Sequence, residues 1–133
     1  MKKSVVLDTN IIVSAALTST GNSSEIVALV SAGELKLFFS LSILDEYRRV
    51  LGYSKLNIAP SVQSKMLARL EAHGIIISPI VSTFSMPDES DRIFYDAAVA
   101  VGATLITGNM KHYPQTDFIV TPSAFMEQYN AKP

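Results

Sequence analysis

Ser4-Val5-Val6-Leu7-Asp8-Thr9-Asn10-Ile11-Ile12 is the stretch from which the rest of the chain can be read. Ser4 to Leu7 is a short, nearly apolar run, as expected of a buried strand. Asp8, Thr9 and Asn10 follow at its C-terminal end, and Ile11 to Leu17 continues as a short helix. A carboxylate placed directly after a first buried strand is a recurring device in α/β folds. The strand fixes the backbone, and the acid points into the crevice beyond the sheet edge. The same position suits a helix N-cap, so Asp8 by itself fits either role.

The pattern repeats outward from this point. Asn22 and Ser23 are cap candidates for a helix from about Ser24 to Ala32, which Gly33 ends. Leu35 to Phe39 reads as a strand, and Ser40 or Ser42 caps a helix reaching Leu51. Ser54 to Pro60 reads as a loop. Val62, Met66, Leu67 and Leu70 recur at helical spacing between Ser61 and His73, and Gly74 stops that helix. Ile75 to Ile77 is a strand, Met86 to Ser90 a polar turn, and Ser90 to Val101 a helix. Thr104 to Thr107 and Phe118 to Val120 are strands, and Pro122 opens a last helix ending near Tyr129. Short apolar strands alternating with helices predict an α/β fold: a three-layer α/β/α sandwich around a central parallel sheet, forming one domain over residues 1–133. Strand order cannot be read from periodicity.

With 48% hydrophobic and 17% charged residues, the chain can build a core and is not of disordered composition. The apolar runs are too short for a membrane span, and Asp8 interrupts the first of them, which does not suit a signal peptide. A soluble cytoplasmic protein without membrane contact is expected. The absence of cysteine excludes disulfides and thiolate metal sites. A net charge of −1 does not announce a nucleic-acid binder, so any nucleic-acid contact would rest on a local patch and bridging cations.

Acids are the candidates for chemistry. Glu46 lies three residues after Ile43 and four before Val50, on the edge of an inner stripe that includes Leu44, Tyr47 and Leu51. Its ordinary reading is a solvated helix glutamate, while Asp45 and Arg49 are spaced to pair on the outer face. Asp88, Glu89, Asp91 and Asp96 form the densest acidic cluster. Asp88 and Glu89 suit a helix N-terminal turn, Asp91 lies one turn in, and Asp96 reads as a surface acid on another face. Several carboxylates gathered in a crevice stay ionised together only beside a cation, and hard oxygen ligands suit Mg²⁺ or Mn²⁺. Such a centre activates water and neutralises charge on a phosphodiester.

Other chemistries lack their parts. Asn10 stands where a haloacid-dehalogenase phosphotransferase needs its second aspartate, and there is no GxGxxG, Walker or GxSxG motif. His73 and His112 have no HxxxH spacing. His73 reads as a helix C-terminal residue facing the dipole.

Four ordered blocks resemble the PIN-domain family. They are Val6-Leu7-Asp8-Thr9-Asn10-Ile11-Ile12; Ser40 with Glu46-Tyr47-Arg48-Arg49-Val50-Leu51; Asp88 to Ala98; and Leu105-Ile106-Thr107-Gly108-Asn109 with Lys111-His112-Tyr113-Pro114. They span about residues 4 to 121. The resemblance is to the bacterial, VapC-like subgroup described as toxin components of toxin–antitoxin pairs. It implies a parallel α/β/α fold and RNA cleavage with Mg²⁺ or Mn²⁺. Asp8, Glu46 and Asp91 match the three core acids, Asn10 the polar residue beside the first, and Ser40 and Thr107 small hydroxyl positions near the site. Asn109 stands where many members carry aspartate. An asparagine carbonyl can reach a metal but supplies no charge, so a second metal is in question, with Asp88 and Asp96 the acids at hand to compensate. A catalytically weak or inactive RNA- or protein-binding module is the alternative this substitution raises.

The resemblance also implies an antitoxin partner and a homodimer. Ile26, Val27, Leu29, Val30, Leu67 and Leu70 are helix residues that could serve such contacts, although their spacing makes them core stripes first. Lys55, Lys65, Arg69, Arg92 and Lys111 are candidate contacts to RNA phosphates.

Overall fold

The computed structural model describes residues 2–131. Its sheet contains β1 (Lys3–Leu7), β2 (Leu35–Phe39), β3 (Gly74–Ile76), β4 (Thr104–Ile106) and β5 (Ile119–Val120), in the order β3-β2-β1-β4-β5. Every pairing is parallel. Helices α1 (Thr9–Leu17), α2 (Asn22–Ser31), α3 (Leu41–Leu51), α4 (Pro60–His73), α5 (Arg92–Val101) and α6 (Pro122–Asn130) flank it. Parallel strands need long crossovers, and these helices supply them.

Val5, Val6 and Leu7 are all fully buried although neighbouring side chains leave a strand on opposite faces, so β1 is covered on both sides. Tyr47 of α3 ties the layers together. Its ring meets Phe39 of β2 edge-on and stacks on Phe94 of α5. Its hydroxyl donates to the Leu7 carbonyl at 2.5 Å, one residue before Asp8.

From β1 the chain steps outward to β2 and β3, then returns to place β4 on the other side of β1. The C-terminal ends of β1 and β4 therefore form a topological switch point, where open parallel sheets leave a crevice. Asp8 follows β1 there, and Thr107 follows β4.

The structure departs from the sequence reading in several places. The helix expected from Ser90 starts at Arg92, preceded by a tight 3-10 turn over Glu89–Asp91. The loop after α3 contains another such turn, Ser54–Leu56. Strand β3 is an exposed edge, with Ile76 56% accessible. Gly33 and Gly102 end their helices in the left-handed conformation, whereas Gly74 is extended. Gly74 is needed for closeness instead: an added Cβ would lie 2.0 Å from Phe39 Cε2. Asp45 pairs with Arg48, and Arg49 with Glu46, both at i,i+3. Ile26, Val27, Val30 and Leu70 are buried, and Leu29 and Leu67 pack partly buried against the core, so these residues are core stripes and not a docking face.

Candidate metal centre

Asp8 occupies the N-cap position of α1 yet makes no capping hydrogen bond. Its side chain turns across the switch point. Oδ2 accepts the Thr107 hydroxyl at 2.8 Å and the Tyr113 hydroxyl at 2.9 Å. Asp8 is 5% exposed, and burial together with the charges of Asp8 and Asp91 holds the Tyr113 phenol far above its ordinary range, as a neutral donor.

Thr107 is the node of this wall. Besides donating to Asp8, its hydroxyl oxygen accepts the Asn109 backbone N–H at 3.0 Å. Asn10 accepts the Gly108 N–H on Oδ1, also at 3.0 Å, so the loop after β4 is stitched to the start of α1. Glu46 reaches the crevice from α3. Its Oε2 accepts the Thr9 hydroxyl at 2.5 Å, and its Oε1 lies 3.6 Å from Arg49. Its side chain is 17% exposed, which is far from a freely solvated surface glutamate.

Asp91 ends the 3-10 turn before α5. His112, in the turn Met110–His112, brings Nδ1 to 2.8 Å from Asp91 Oδ2 and 3.6 Å from Asp88 Oδ2. Its Nε2 faces the Asn109 amide at 2.8 Å. Asp88 does cap the turn, accepting Ser90 N–H and Oγ–H on Oδ1. Those hydrogen bonds hold its carboxyl below the usual range. Asp88, Asp91 and His112 bring ligand atoms within 4.8 Å of one another, close enough to share a metal ion.

Burial, then the charge of Asp8, raises the Asp91 carboxyl to about 6. Buried acids that push against each other in this way are compensated by a divalent cation, and their oxygen-rich donor set fits one. The same strain gives a measurable sign. In the folded chain Asp91 holds its proton above its ordinary value of 3.8, so its contribution to stability is full at low pH and fades as pH rises from 4 through 6. Without added metal, Asp91→Asn is expected to be more stable than the parent at pH 7.5 by about 1–2 kcal/mol, with the gap closing towards pH 4. Urea melts across this range, with chelator present, check it; a gap that is absent or widest at pH 4 refutes it.

The remaining sequence candidates fall at different places. Ser40 caps α3 by accepting the Ile43 N–H, so its hydroxyl serves the helix. It lines a neighbouring cavity with Leu41, Ile77 and Asp96. Asp96 is buried and accepts the Ser82 N–H, anchoring the segment before the 3-10 turn, and is not the surface acid expected. Arg92 is spent on Glu89 and Ser82. Lys55 lies over the Tyr53 ring, and both line an open groove that runs to Thr9 and Asn10. Thr9, His112 and Tyr113 join the site without having been singled out one by one. Thr9 lies inside the first block, and the Lys-His-Tyr-Pro run of the fourth block is the only signal for His112 and Tyr113.

A family model described as PIN domain matches residues 4–111. The chain belongs to the PIN domain family. The match covers all four motif blocks up to Lys111. The PIN fold is seen again in a chain of the crystal structure of VapBC2 from Rickettsia felis bound to a DNA fragment from their promoter. The two share 18% identity with a TM-score of 0.54, over 89% of this chain and 96% of that one. No curated protein sequence matches this PIN domain. Among the described residues, no helix is long and apolar enough to cross a membrane.

Proposed function

We propose that this PIN domain is an endoribonuclease that hydrolyses RNA phosphodiester bonds with Mg²⁺ or Mn²⁺ held by Asp8, Glu46 and Asp91. The observation that carries this reading is the disposition of Asp8. It sits at the switch point, is released from capping, and faces a second buried acid whose proton affinity its own charge raises. A divalent cation there supplies activation of a water and offsets the charge that builds on the phosphodiester. The chain's own residues do the rest. Thr107 and Tyr113 fix Asp8 through Oδ2, which leaves Oδ1 for a ligand. Thr9 fixes Glu46. The groove beside Thr9 and Asn10, with Tyr53 and Lys55, offers an aromatic face and a cation to a single strand.

Membership of the PIN family and likeness to the VapBC2 fold support a biological setting. We read the protein as a cytoplasmic toxin component, restrained by an antitoxin protein and acting as a homodimer.

Cleavage of a defined single-stranded RNA should require Mg²⁺ or Mn²⁺, stop with chelator, and return on adding metal back. Mn²⁺ should raise the melting temperature in step with its concentration. Metal-independent cleavage overturns the mechanism. Mn²⁺ and RNA bound without cleavage would instead favour a binding module, which Asn109 at the fourth acidic position makes the specific alternative.

A further inference from the structure

We infer that Asn109 and His112 form a positioning pair for Asp91: Asn109 sets the imidazole tautomer, and His112 orients the carboxylate that holds the cation. This rests on the metal-centre reading above. The geometry supplies the logic. An asparagine Nδ2 can only donate, and it points at His112 Nε2 from 2.8 Å. Nε2 must then carry the lone pair, so the proton sits on Nδ1. Nδ1 faces Asp91 Oδ2, also at 2.8 Å, and donates to it. Both ring nitrogens are thus engaged within the metal-free protein, which sets this role against the alternative that His112 is a ligand beside Asp88 and Asp91.

The arrangement explains why asparagine stands at position 109. An aspartate there would accept from Nε2–H, leaving a bare Nδ1 lone pair against the Asp91 carboxylate or forcing a charged imidazolium. With Asn109 donating to Nε2, His112 instead presents a fixed Nδ1–H to Asp91. Asn109 is held in turn by its backbone N–H on Thr107 Oγ1, the same hydroxyl that donates to Asp8. One connected set of hydrogen bonds therefore runs from Asp8 through Thr107, Asn109 and His112 to Asp91. A supporting partner of a metal-binding carboxylate typically governs affinity by roughly 10- to 100-fold.

Two measurements test this. Nitrogen NMR of the metal-free protein should show His112 protonated at Nδ1 and bare at Nε2, and Asn109→Asp should protonate Nε2. For Mn²⁺ affinity, His112→Ala should weaken binding roughly 10- to 100-fold. His112→Asn, whose amide nitrogen lies near the Nδ1 position, should restore most of it, and His112→Gln should not. His112 is partly exposed, so these variants should keep the fold. Nε2 protonated in the parent protein overturns the inference. So do equal affinities for the asparagine and glutamine variants, or imidazole nitrogen coupling to bound Mn²⁺, which would make His112 a ligand. If the tautomer is as stated but the parent binds no Mn²⁺, the metal reading fails and takes the positioning role with it. A wrong tautomer beside intact Mn²⁺ binding defeats this inference alone.

Discussion

Asp8→Asn is expected to lower RNA cleavage by at least about a thousandfold, beyond the roughly 10- to 100-fold that loss of a supporting partner brings. The substitution is nearly isosteric. An asparagine carbonyl can still accept the Thr107 and Tyr113 protons that now reach Oδ2, so the wall of the site should stand. What disappears is a buried negative charge. Its loss weakens any cation site and also relieves Asp91, which Asp8 now pushes towards protonation. The variant should therefore melt no lower than the parent without metal, yet lose the Mn²⁺-dependent rise. Calorimetric melts with and without Mn²⁺, beside a cleavage time course, separate these effects. Retained cleavage, or an unchanged Mn²⁺ response, would sink the assignment.

The largest effect on stability belongs to Gly74→Ala, outside the candidate metal centre. The new Cβ would stand 2.0 Å from Phe39 Cε2, 2.6 Å from Cζ and 2.7 Å from the Leu70 carbonyl oxygen. The last of these is backbone and cannot rotate away. Phe39 has no free space either, being fully buried with its ring edge-on to Tyr47. Relief requires β3 or the end of α4 to move, at a cost of about 3 kcal/mol or more. That corresponds to a fall in melting temperature on the order of 10–15 °C. Phe39→Leu should partly rescue it, so the double variant loses less than the two single losses added together. A single-variant loss under about 1 kcal/mol would show that the contact is readily relaxed.

Strands and helices were legible because burial on both faces leaves continuous apolar runs and helix stripes leave a 3.6-residue period. Strand order was not, because no period records which strand is a neighbour. The switch point between β1 and β4 therefore emerged only in three dimensions. Asp8 was legible as a strand-end acid, but only its geometry separates it from a cap. Glu46 looked like a surface residue and was singled out by resemblance, since its tie to Thr9 spans 37 positions. In the sequence Gly74 reads as a helix stop, while its actual constraint comes from a ring on another strand. Beyond the motif run, nothing in the sequence singles out His112, because a histidine gains its role here from residues 3 and 21 positions away, brought together by a turn no periodicity announces.

The hydrogen bonds that fix Asp8 come from Thr107 and Tyr113, 99 and 105 residues later. During synthesis, then, Asp8 precedes its partners by 99 and 105 residues and has no walls until β4 docks beside β1. Closing so long a loop is slow compared with forming a local helix. A nascent or half-folded chain carries the acids without the centre, and the activity proposed here would switch on only when the segment from β4 to Tyr113 has docked.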